Sequence, residues 1–503
     1  MDFVIVSTLL LGATILSIIW WKFVYTRNNQ VTVPFVEGHW PIIGHIPYLI
    51  DLKKFRNLCD KWAVDYDGTF GLYLLTEKLV ITSNVKVIED YTSNPKYNTK
   101  ASSYRFVATL IGDGIACSNG DLWKARRRLV VPTFHYELLC SFMPAIENIA
   151  IEFVNMLQKY ADDAHEFDVT DLSKKFAMAV ICETAMGKHV PLSTDAVSKS
   201  DADGPDFKTI FDSATFYFMN RFRRPWLWNE KIYALSSEGK VLLSQRDALR
   251  SWVKILIEER VEYRKKGLGT NEEKQKIFID VLLDAFEKGE IDVQGMVDEV
   301  STMVFAGYES TAATLSFALY CLGRNAKCQE KLFKEVCQVD GEGKKSFGGF
   351  EDLRGLKYLD WVIKETLRLH VIVNSFQRAI PEGAVLGGKV FPKCTLMIDL
   401  KAVNHNPENW ENPKSFIPER FEGFEERKKG GTSFMFTPFS AGPRNCVGQR
   451  FAMMELKIAL YHLVKNFEIS SSQNESDLMQ TYETLNISLN GLKIKLTRRP
   501  DAS

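Results

Sequence analysis

The chain has 503 residues with ordinary apolar content and plentiful aromatics, enough to bury a large core. Its 63 Lys+Arg and 63 Asp+Glu cancel, so there is no basic excess of the kind that recruits nucleic acid. Nine cysteines are scattered singly, odd in number and without zinc or redox spacing, so reduced thiols in a reducing compartment are expected.

From Phe3 to Trp21 the residues are apolar or small and uncharged, a stretch long enough to span a bilayer core. Trp20 and Trp21 close it, Lys22 and Arg27 follow, and only Asp2 precedes it, so the positive-inside rule puts the remainder in the cytosol. A cleaved signal peptide would need a basic start and a small-residue cleavage site, and neither is clear. Residues 1–27 therefore read as a retained anchor and residues 28–503 as one folded domain. Asn474 and Asn486 open glycosylation acceptor triplets that would stay bare on the cytosolic side. Pro34 to Gly44 is a stiff entry in which the anchor helix cannot continue.

Short apolar, β-branched runs from Leu72 to Thr82 predict strands. Residues 101–120 lack strong periodicity and contain Gly112-Asp113-Gly114. Trp123 and Arg127 share a helix face, and an indole N–H beside a guanidinium can hold one carboxylate. Lys124, Arg126 and Arg128 then point elsewhere, as a basic patch suited to an acidic protein. Residues 137–290 read as long amphipathic helices broken near 195–206 and 267–274, with a later break near 340–349.

One long helix is predicted from about Ile291 to Leu322, centred on Ala306-Gly307-Tyr308-Glu309-Ser310-Thr311. Ala306 and Gly307 leave room against the backbone. Hydroxyls in a helix interior bond back to earlier carbonyls and open a groove. A hydroxyl at Ser310 can position a bound oxygen atom or a water, a carboxylate at Glu309 can relay protons from outside, and Thr311 supports them. Glu365 and Arg368 lie three apart on one helix face, and Arg420 follows in a later segment. His405 has no neighbours with which to hold zinc. Alternation around Thr484 to Leu496 suggests a closing hairpin.

Near the end stands Phe439-Ser-Ala-Gly442-Pro-Arg444-Asn-Cys446-Val-Gly448, followed at once by helical spacing through Phe451, Met454, Ile458 and Tyr461. Gly442 and Gly448 permit unusual backbone shapes and close approach of a flat ligand. A cysteine at a helix N-terminus near Arg444 is expected to have a lowered pKa, suited to thiolate and to the axial position of a haem iron.

At Phe439, Gly442, Arg444, Cys446, Gly448 and Ala452 this stretch resembles the haem-thiolate loop of the cytochrome P450 monooxygenases, and the other motifs fall in that family's order. Cys182–Gly187 and Arg224–Leu227 are similar to segments of its animal family-four clan, which includes fatty-acid ω-hydroxylases and insect detoxification enzymes. The resemblance implies a mainly α fold with small β-sheets behind a single N-terminal transmembrane helix, in the endoplasmic reticulum membrane with the catalytic domain facing the cytoplasm. It implies haem b on Cys446, with Trp123, Arg127, Arg378 and Arg444 toward its propionates and Ala306, Gly307 and the loop residues around it. Leu110, Ile111, Phe305, Val371 and Ile372 become candidate substrate contacts, and Glu365, Arg368 and Arg420 a structural lock. O2, a hydrophobic substrate (fatty acid, terpenoid, steroid or xenobiotic), an NADPH-dependent flavoprotein reductase and cytochrome b5 are the implied partners.

Three positions depart from the pattern. Ser310 replaces the usual threonine. Ala306 stands where many family-four proteins carry a glutamate that esterifies the haem, so a haem without that ester is expected. Val371 and Ile372 replace prolines, which alters the pocket wall. Two other readings exist: a family member that rearranges peroxides or dehydrates without O2, which tends to lose the acid–alcohol pair, and a haem-binding sensor or lipid carrier without turnover.

Overall fold

The computed structural model describes residues 30–163, 165–192, 207–267, 276–340, 350–424, 432–481 and 485–500, with scattered positions before residue 30. The expected anchor and the three expected polar breaks fall largely or wholly outside the described residues. Among the described residues no single helix is long and apolar enough to cross a membrane; the bent pair Gly120–Phe134 and Tyr136–Asp163 passes on length and composition, but its apolar residues serve the main core.

After a helix at Leu52–Asp65 come two antiparallel strands, β1 (Thr69–Leu74) and β2 (Glu77–Thr82), and Leu75 turns between them at φ 54°. The entry segment from Pro34 to Gly44 carries no helix, and isolated bridges hold it to the sheet: Phe35 to Gly71 and Gly44 to Leu74. Nine helices then organise the site: α1 (Tyr104–Ile111), α2 (Gly120–Val130), α3 (Tyr136–Asp163), α4 (Thr170–Ile181), α5 (Phe207–Arg223), α6 (Ser237–Lys265), α7 (Val293–Arg324), α8 (Lys357–His370) and α9 (Gln449–Asn466). Strands β3 (Ser375–Ile380) and β4 (Cys394–Asp399) complete a sheet of order β1-β2-β4-β3. A second sheet joins Phe167–Asp168 to β6 (Lys493–Arg498) and β5 (Phe467–Ser470).

The α7 helix crosses the main core. Asp292 caps its start by accepting from the Gly295 N–H at 2.8 Å, and 32 residues at 1.5 Å each make it about 48 Å long. It packs against α4 and α9, and α9 packs on α3, so the segment after Cys446 is anchored to the centre of the molecule. The stretch 101–120, read as lacking strong periodicity, contains α1, a short helix whose apolar face carries it into the core at Phe106, Leu110 and Ile111. All nine cysteines are free thiols.

The lock expected from Glu365, Arg368 and Arg420 is formed. Glu365 and Arg368 are fully buried; Glu365 accepts from Arg368 Nε at 2.8 Å and from Arg420 Nε at 2.9 Å, and also from the Ile417 N–H. Arg368 spends its remaining donors on the carbonyls of Asn404, Pro413 and Ser415. The trio thus pins the meander before the cysteine loop to α8.

Candidate functional site

The cysteine loop is held by its backbone. Cys446 N–H donates to Phe439 O at 2.9 Å, and Asn445 N–H to Gly442 O at 3.0 Å. Gly442 has φ 70°, and a Cβ there would lie 1.9 Å from Thr92 O, so both conformation and space demand glycine. Gly448 differs from expectation: its φ is −85°, open to any residue, and only Phe134 lies near a Cβ. Phe439 and Ala452 are half-buried, and the Ala452 N–H closes the first turn of α9 on Gly448 O.

Cys446 keeps accessible surface although protein surrounds it closely. Burial of its surroundings pushes the thiol above the ordinary cysteine value, while the Gly448 N–H and the Arg127 charge pull it down. The expectation of a lowered pKa is therefore corrected: the two favourable effects are present, but desolvation exceeds them. A bound cation is what would hold this sulfur as thiolate.

Around the loop stands a group of cations from four segments. Arg127 donates to Asn445 O at 2.8 Å and to its Oδ1 at 2.6 Å, tying α2 to the cysteine loop. Arg444 donates to the Asn98 and Ser118 carbonyls and to Asn119 Oδ1, and its guanidinium lies 4.0 Å from the centre of the Trp123 ring. Arg378 on β3 bridges Lys100, whose ammonium lies over the Tyr104 ring at 4.0 Å. Among the described residues no carboxylate pairs with Lys100, Arg127, Arg378 or Arg444, and Arg444 Nη1 is buried without a partner. Burial, with Arg378 and Arg127 nearby, lowers Arg444 to about 10; burial and Arg378 lower Lys100 to about 8. Buried like charges without counter-ions are costly. This arrangement fits a ligand bearing two carboxylates, as haem does, with its iron at Cys446. Sequence reasoning named Trp123, Arg127, Arg378 and Arg444 but missed Lys100 and Tyr104, because a lone lysine in a loop carries no signal and only the bridge to Arg378 brings it here.

Along α7, Ala306 is exposed and Ser310 half-buried in a helix otherwise buried almost throughout its centre, so an opening lies at that turn. Ser310 Oγ donates to Ala306 O at 2.8 Å and Thr314 Oγ1 to Ser310 O at 2.7 Å, the back-bonding expected of hydroxyls here. Gly307 serves a different purpose from the one expected: a Cβ there would meet Ile181 Cδ1 at 3.0 Å, so it lets α7 pack on α4. Glu309 and Thr311 are buried. Burial, with Asp212 adding to it and Lys174 opposing, pushes the Glu309 carboxyl up to about 8.

The basic patch also needs correction. Arg126 is mostly buried and pairs with Glu299 of α7 at 3.6 Å; only Lys124 and Arg128 of that trio are exposed. Glu299 accepts the Ile115 N–H and Asp298 accepts the Asp113 N–H, which fastens the 112–115 loop to α7. A Cβ at Gly112 would lie 2.0 Å from Asp298 Oδ1, so the loop approaches this closely only as glycine.

Of the candidate substrate contacts, Leu110 and Ile111 are packed in the core, and the α1 residues facing a cleft are Tyr104, Phe106 and Val107. That cleft, about 180 Å³ and partly open to solvent, is also walled by Phe218, Phe222 and Met397, and Cys446 is not among its walls. Phe305, on α7, lies 5.5 Å from Phe211 and 6.5 Å from Phe218, a wall residue of that cleft, by ring centres. Val371 and Ile372 are buried, and Val371 has φ 25°, a strained value for a β-branched residue. The C-terminal turn reaches this wall: Leu485 bridges Val373, and Asn486 N–H donates to Ile372 O at 2.8 Å. His405 hydrogen-bonds Leu369 O, and no metal-binding cluster occurs among the described residues.

The cytochrome P450 family model matches residues 34–498. Cytochrome P450 4V2 of Mus musculus is 32% identical over 513 residues, covering 97% of this chain and 95% of that protein. Cytochrome P450 4V2 of Homo sapiens is 31% identical, covering 94% and 92%, and cytochrome P450 4d2 of Drosophila melanogaster is 29% identical, covering 92% and 94%. A match of this extent, over a mainly helical fold with small sheets and a cysteine loop beside a cluster of cations, shows that the chain belongs to the cytochrome P450 family and is a P450 monooxygenase.

Proposed function

We propose that the chain inserts one oxygen atom from O2 into a hydrophobic substrate, with electrons from NADPH delivered by a membrane-bound flavoprotein reductase and with cytochrome b5 as a second donor. The single observation that carries the reading is the uncompensated cation cluster around the Cys446 loop. Cys446 would hold the haem iron, and Trp123, Arg127, Arg378, Arg444 and Lys100 its propionates. Bound there, haem supplies oxygen activation and transfer. Gly442 and the lock of Glu365, Arg368 and Arg420 keep the sulfur in position. The exposed side of Ala306 leaves space for substrate and O2, and the Ser310 hydroxyl orients a proton at that opening. Glu309, protonated near neutral pH, is the internal proton store, and Thr311 packs behind it.

Phe305, Val371, Ile372 and the cleft at Phe106 and Phe218 give the substrate an apolar path. Residues 1–27 anchor residues 28–503 to the endoplasmic reticulum membrane, catalytic domain on the cytoplasmic side. Exposed Lys124 and Arg128 offer charge to the reductase, an attraction that weakens with salt. Reconstitution with NADPH, reductase and labelled O2 tests the whole reading: label in the product supports it, and turnover without NADPH or O2 sinks it.

Two outcomes follow from single residues. In Ser310→Ala, product per NADPH is expected to fall by about tenfold, with peroxide rising to match, because a positioned proton-transfer group is lost. Unchanged coupling removes Ser310 from its role. Because residue 306 has no carboxyl, acid in organic solvent is expected to extract all of the haem; haem retained on the chain contradicts this.

A further inference from the structure

Behind Glu309 lies a second group of polar side chains that leads outward. Lys174 on α4, mostly buried, is ion-paired with Asp212 on α5, whose side chain is about one-third exposed. The Glu309 carboxyl faces both, together with Thr215 of α5. Glu309 and Thr215 are both buried, and Asp212 and Thr215 are the side-chain hydrogen-bonding neighbours of the Glu309 carboxyl in this niche. One turn outward on α5, Lys208 pairs with Asp171 at 2.5 Å, both about half exposed. Titratable groups therefore run in series from the surface to α7.

We propose that Asp212 is the solvent-side port through which protons reach Glu309, with Lys174 fixing the Asp212 carboxylate at the mouth. The proposal rests on the monooxygenase reading, since that reaction consumes protons at the α7 opening. A purely structural role explains the arrangement less well. An ion pair between α4 and α5 is complete with Lys174 and Asp212 alone. Adding a third, buried acid beside a carboxylate is unfavourable unless the two share a proton. Other buried acids of α7 are used differently: Asp298 and Glu299 are tied to backbone N–H groups and to Arg250 and Arg126. Among the described residues the charged groups facing Glu309 are Lys174 from α4 and Asp212 from α5, and they act on it in opposite directions.

That opposition provides the test. The infrared difference between wild type and E309Q isolates the Glu309 carboxyl band, expected to titrate near pH 8. D212N removes a like charge and is expected to move the midpoint down by about one unit or more; K174M removes an opposite charge and is expected to move it up. D212N should keep the wild-type carbon monoxide spectrum while product per NADPH falls severalfold and its pH optimum shifts, and D212E should restore both. If the midpoint stays fixed in both variants, or if D212N couples like wild type from pH 6 to 9, the port is refuted although the haem reading stands. Loss of the thiolate-type spectrum in wild type would instead refute the haem reading, and the infrared titration, which needs no turnover, still decides the network.

Discussion

Cys446→Ala is expected to abolish the thiolate-type absorption band of the reduced carbon monoxide complex and to take product formation to background. The loop should survive the change, because its shape depends on the Cys446 N–H to Phe439 O bond and on Gly442 rather than on the sulfur. The cation cradle is also untouched, so some porphyrin should still bind, now with another axial ligand or none. The expected signature is thus a changed spectrum with retained secondary structure. Full retention of the wild-type band would overturn the assignment of the sulfur. Cys446→Ser is the closer comparison in size and should also lose the band, since a neutral hydroxyl is a far poorer electron donor than a thiolate.

The second large effect is expected at Glu365. Removing this carboxylate in Glu365→Ala leaves Arg368, fully buried, without its counter-ion and takes the Glu365 pair from Arg420. Breaking a buried pair by deleting one partner typically costs about 3–5 kcal/mol, because the remaining charge stays desolvated. Against a net stability of about 5–15 kcal/mol, that is a large share. The denaturant midpoint and the yield of haem-loaded protein should both fall sharply. Arg498→Ala, which breaks an exposed pair with Asp162, should change stability by no more than about 0.5 kcal/mol. A Glu365 variant no less stable than that control would remove the lock from its assigned role.

Sequence legibility followed the range of the physical signal. Helical periodicity placed α7 within two residues of its observed start and end, and the strands near Leu72 to Thr82 stand where β-branched runs predicted them. The cysteine loop was legible because Gly442 is required by both its φ and the nearby Thr92 carbonyl. Glycines at 307 and 448 were read the same way although one serves helix packing and the other is conformationally ordinary. A glycine in sequence does not say which constraint selected it. Arg126 was assigned to the surface because helix spacing cannot show that Glu299 comes to meet it. Lys100, Tyr104, Lys174 and Asp212 were not singled out at all: each gains meaning only from partners far away in sequence. The walls of the substrate cleft come from at least four separate segments, which is why substrate identity is the least legible feature of the chain.

The cradle of Lys100, Arg127, Arg378 and Arg444 also bears on how the protein matures. Four repelling cations are gathered from a loop, a helix, a strand and the cysteine loop, so the assembled apo form is penalised until a dianion arrives. A ligand that binds only the folded state stabilises it by mass action. Porphyrin supply in the cell should therefore set how much of this polypeptide escapes degradation, before any question of catalysis arises.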